Sequence, residues 1–72
     1  MRNRIRELTR GDKVLCLIEI SHDAYPENRQ YVTEVHQILP GGKRTRGVWD
    51  SSTSYADPEE AWRKGQQHFD DH

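Results

Sequence analysis

Cysteine occurs once in this sequence, at position 16, so no internal disulfide can form and the disulfide-stapled secreted class is excluded. A lone thiol suits a reducing compartment, and a cytoplasmic protein is expected. Apolar runs are short. None approaches the ~20 residues that span a bilayer, and the opening MRNRIRELTR is basic without the apolar stretch of a signal peptide. A glycine-rich phosphate loop is missing, because PGGK at 40–43 lacks the spacing and the trailing Ser or Thr. So is an excess of one charge: the net value of −1 argues against a dedicated nucleic-acid binder, which carries a strongly basic domain.

What remains is small and polar. The 72 residues make one domain, 1–72, with 32% apolar and 32% charged side chains. A chain of this length buries only about 60% of its unfolded surface, so its core is thin and a partner or second copy would add stability. Two Trp, three Tyr and one Phe supply most of the bulk. Charge is divided between the ends. Residues 1–13 hold five basic and two acidic side chains, net +3, while 57–72 hold two basic and five acidic, net −3.

The pattern predicts an α+β fold, a three-stranded antiparallel sheet with one C-terminal helix packed on one face, in the order β-β-β-α. The helix is expected over 57–70: Asp57 is the N-cap, Pro58 the first helical residue, and Glu60 completes a capping box. Ala61, Trp62, Gly65 and Phe69 share one face, while Arg63, Lys64, Gln67 and Asp70 take the other. A glycine on the buried face costs about 1 kcal/mol relative to Ala, which points to close approach of a sheet at Gly65. Strands are expected at VLCLIEI (14–20), QYVTEVHQIL (30–39) and KRTRGVWD (43–50), giving a sheet over 13–50. SHDAYPEN (21–28) reads as a turn, and residues 1–10 as a basic N-terminal arm able to form a helical turn ending at Gly11.

A three-residue Pro40-Gly41-Gly42 loop pairing Leu39 with Lys43 sorts the charges best. Tyr31, Thr33, Val35, Gln37 and Leu39 then share the helix face with Thr45, Gly47 and Trp49, and Glu34, His36, Arg44, Arg46 and Asp50 point away. In the first strand Glu19 marks the outer face, which sends Val14, Cys16, Ile18 and Ile20 inward. The expected core is these four with Tyr31, Val35, Leu39, Trp49, Tyr55, Ala61, Trp62 and Phe69. The outer face would carry Leu15, Leu17, Val32, Ile38 and Val48 among its charges, too apolar for ordinary solvation. Either the arm covers it with Ile5 and Leu8, or it meets another molecule.

Catalytic and metal chemistry find little support. His68 and His72 are spaced to chelate, but no further ligands accompany them, and histidine near a helix C-terminus is favoured by the macrodipole. No metal and no cofactor is expected. Cys16 with His36 has the composition of a nucleophile and base, yet a cysteine in an apolar strand is usually inert. No catalytic residue is assigned, and no small-molecule substrate or membrane is implied.

The leading expectation is therefore a non-catalytic interaction module of bacterial or phage type. It would bind a protein, a second copy of itself included, through Leu15, Leu17, Val32, His36, Ile38, Arg44, Arg46 and Val48. The alternative is nucleic-acid binding through Arg4, Arg6, Lys43, Arg44 and Arg46, with arginines contacting phosphates. The segments YVTEVHQILPGGKRTRGVW and SYADPEEAWRKG, with three strands, a basic turn and a capped helix, resemble the N-terminal DNA-binding modules of phage-type integrases. That resemblance covers about residues 30–65 and implies groove binding by the outer sheet face through Arg44 and Arg46.

Overall fold

The chain turns first at Gly11-Asp12. A computed structural model describes every residue except Asp23, Arg46 and His72, and the side chain of Pro26. Its elements are β1 (Arg2–Arg10), β2 (Lys13–His22), β3 (Tyr25–Gln37), β4 (Trp49–Asp50) and α1 (Pro58–Asp71). Arg10 pairs with Lys13 across the Gly11-Asp12 loop, and the φ of 58° at Gly11 suits the first position of a type II′ turn. The basic arm is thus an edge strand and not a helical turn, which corrects the three-stranded expectation. The sheet is antiparallel, in the order β1-β2-β3-β4. A bulge between Arg4 and Arg6 sets Ile5 out of register and breaks the alternation that would have marked this strand.

The other boundaries shift for local reasons. SHDAYPEN mostly belongs to strands, since β2 runs to His22 and pairs it with Tyr25. The expected third strand shrinks to Trp49–Asp50, flanked by single bridges at Ile38–Arg44 and Tyr31–Tyr55. The three-residue loop itself is present: the Leu39 amide donates to the Lys43 carbonyl at 2.6 Å. Beyond it, positive φ at Gly47 (29°) and Ser52 (61°) bends the returning chain away from regular pairing. Residues 38 to 35 stand against 44 to 49, an even excess, so Trp49 still shares a face with Val35.

Across a ladder, directly opposite residues share a face. Leu15 lies opposite Val35 and Leu17 opposite Thr33, under the helix, whereas Val14, Cys16 and Ile18 lie opposite His36, Glu34 and Val32. The expected orientation of this strand is therefore reversed. The cause is its position: β2 lies between β1 and β3 and is buried on both faces from Val14 to Ile18, so it shows no alternation to read. Glu19 sits near the strand end on the helix face, where Tyr31 Oη donates to it at 3.3 Å, and so it was a misleading marker. Leu39, expected in the core, is 39% exposed at the loop.

The helix is placed as the sequence predicts. Asp57 Oδ1 accepts the Glu59 amide at 3.2 Å, and Ala61, Gly65 and Phe69 are buried. Gly65 presses on the sheet: a Cβ there would lie 2.6 Å from Thr33 Cβ and Cγ2. Leu15, Val35 and Phe69 pack with Leu8, Trp49 and Trp62, and Leu17, Tyr31 and Ala61 with Tyr55 and Trp62. Two arginines of β1 hold the helix along its length. Arg6 pairs with Glu59 at 2.8 Å and lies 5.1 Å over the Trp62 ring, while Arg10 pairs with Asp70 and lies 5.3 Å over Phe69. Among the described residues no helix is long and apolar enough to cross a membrane.

Candidate interaction face

The sheet face opposite α1 has a floor of Val14, Cys16 and Ile18, with Ile20, Val32 and Ile38 beside it. The first three are 0%, 0% and 6% exposed. Their cover is a canopy of charged side chains from the flanking strands. Register explains it: Arg2 and Arg4 stand opposite Ile20 and Ile18, and Glu7 opposite Cys16, so all three rise on this face. Arg2 reaches Glu34 of β3, and Arg44, opposite Ile38, reaches Glu7 at 2.6 Å. Both ion pairs span the middle strand. Ile5 and Leu8 do not supply the cover. Leu8 packs on the helix side, and Ile5 is 48% exposed at the bulge.

Beneath this canopy runs a continuous polar chain. Cys16 Sγ is 3.4 Å from Glu7 Oε2 and 3.8 Å from His36 Nδ1, and His36 Nε2 is 2.9 Å from Glu34 Oε2. Cysteine, histidine and glutamate stand here in the connectivity of a nucleophile, its base and an orienting group. The electrostatics run the other way. Burial, then the hydrogen bond and charge of Glu7, push the Cys16 thiol up to about 11, whereas a reactive cysteine needs a lowered pKa and access. Glu7 is held below the ordinary carboxylate range, chiefly by the hydrogen bond from Arg44. Among the described residues no group of three or more His, Cys, Asp or Glu is placed to hold a metal.

The canopy is open at one side. A groove of about 530 Å³ is lined by Arg2, Arg4, Ile18, Glu34, His36 and Asp50, with Gly47 at its edge. Its β1 wall is cationic and its β3–β4 wall anionic. Of the residues expected to bind a partner, Val32, His36, Ile38 and Arg44 are on this face. Leu15 and Leu17 are not, being buried under α1. Val48 is 52% exposed and borders a separate cleft beside the helix. Arg46 and His72 lie outside the described residues. Lys43 is exposed at the hairpin tip. Arg4 and Arg6 part company across the bulge, Arg4 joining Glu7 on the outer face at 3.5 Å and Arg6 turning to the helix. Arg2, Glu7, Glu34 and Asp50 complete the face, and reading 2–10 as a strand closed by Gly-Asp would have brought the first two forward. No family model, curated protein or solved structure matches the chain.

Proposed function

We propose that the chain is a non-catalytic protein-binding module whose outer sheet face receives an extended segment of a partner. One observation carries this reading: the groove sets Arg2 and Arg4 against Glu34 and Asp50 above the apolar floor at Ile18. A segment presenting an acidic side chain to the first wall and a basic one to the second would complement both. Phosphate recognition is favoured less, because Glu34 and Asp50 line the same groove and would repel a polyanionic backbone, whereas a segment carrying both charges meets both walls.

Amide NMR titration with an extended peptide of alternating Glu and Lys tests the reading. Shifts at Arg2, Arg4, Ile18, Glu34 and Asp50 are expected, and Arg4→Glu should abolish them. If a mixed-sequence DNA duplex instead shifts residues 43–45, with affinity falling steeply as salt rises, nucleic-acid binding replaces protein binding. Broadening of 32–38 with protein concentration alone would identify the partner as a second copy.

A further inference from the structure

On the opposite side of the sheet, a gap lies between Val48-Trp49 and the last turns of α1. The gap is a cleft of about 290 Å³ lined by Lys13, Val35, Val48, Trp49, His68 and Phe69. Trp49 and His68 form one rigid wall, stacked with ring centroids 3.8 Å apart and planes 9° from parallel. Phe69 and Val35, 8% and 4% exposed, close its base, and Val48 stands at the rim. Ligand pockets commonly run from roughly 300 to 1,000 Å³, so this cleft has room for one ring system and little else.

The charge at its mouth selects the ligand further. Lys13 opens β2 on the helix face, opposite Arg10 and Gln37. Arg10 is engaged by Asp70 and lies over Phe69, whereas Lys13 has no carboxylate partner among the described residues. An ammonium beside an aromatic and aliphatic slot is matched by a carboxylate one or two bonds from an aromatic ring. We infer that this cleft binds a small arylalkanoic acid, its ring against Trp49 and Phe69 and its carboxylate on Lys13.

Titration of the labelled protein with indole-3-acetate, indole-3-acetamide and tryptamine tests this by NMR. The acid should shift Lys13, Val35, Val48, Phe69 and the Trp49 indole N–H, and bind about fivefold more tightly than the amide, as a half-exposed ion pair allows. Lys13→Gln should erase that preference while leaving the amide's affinity unchanged. Lys13 is exposed, so the variant keeps the fold, checked by its unaltered amide spectrum away from the cleft. Equal affinity for acid, amide and amine would overturn the proposal, as would shifts confined to other residues or none at millimolar ligand.

Discussion

Cys16 and Leu17 are adjacent in sequence and equally inaccessible, at 0% and 1% exposure, yet they are covered by different means. Leu17 lies under a helix, against Tyr31 and Ala61. Cys16 lies under side chains, among Glu7, His36 and the arginines that reach across β2. A helix covers the sheet with apolar packing that water does not weaken. A canopy of half-exposed ion pairs covers it with individually weak contacts, which salt and acid loosen. One face is therefore a core, and the other a core with a removable lid of charge.

Truncation on each face should separate them most clearly. Leu17→Ala is expected to cost about 2–5 kcal/mol in denaturant unfolding, and Ile18→Ala to fall at or below the bottom of that range, because the canopy can settle into the space. Equal losses would erase the distinction. Gly65→Ala sharpens it at the helix contact. The overpacking against Thr33 should cost roughly 1–3 kcal/mol, against a propensity gain of about 1 kcal/mol. Thr33→Ala in the same chain should restore most of the loss.

The remaining effects concern the canopy itself and depend on pH. With the folded Cys16 pKa near 11 and the ordinary thiol at 9.0, the unfolded chain sheds this proton first as pH rises. Stability from this group is thus complete below pH 9 and declines toward pH 11, and Cys16→Ala should flatten that limb. On the acid side the sign reverses. Glu7 is depressed in the folded state, so its contribution is present above its ordinary value of 4.5 and fades as pH falls below it. At neutral pH, Arg44→Ala should raise the rate at which a thiol reagent modifies Cys16 while scarcely moving the melting temperature. Unchanged labelling would mean that the pair with Glu7 is not what shields the thiol.

The place of the helix was legible in the sequence, since the Asp57 cap, the buried Ala61, Gly65 and Phe69 and the close approach at Gly65 are local signals of one continuous segment. The facing of β3 was legible too, because charge alternates there between Tyr31, Thr33 and Val35 on one side and Glu34 and His36 on the other. The apolar run at 14–18 carried no such record. A strand buried on both faces has the same composition in either orientation, and its facing follows only from partners distant in sequence. The site inherits that uncertainty: Val32, His36, Ile38 and Arg44 could be found from β3 and its hairpin, while Arg2 and Glu7 depend on a strand hidden by one bulged residue.

The grip of β1 on the helix has a consequence for how the chain assembles. Arg6 meets Glu59 and Arg10 meets Asp70, contacts separated by 53 and 60 positions. On a ribosome the strand emerges early and its helical partner late. Until residues 58–71 are made, the meander of β1, β2 and β3 can pair while Leu15, Leu17 and Val35 stay open to water or to a chaperone. Folding should therefore finish in a single late step, when the helix docks and locks the first strand and the last element together.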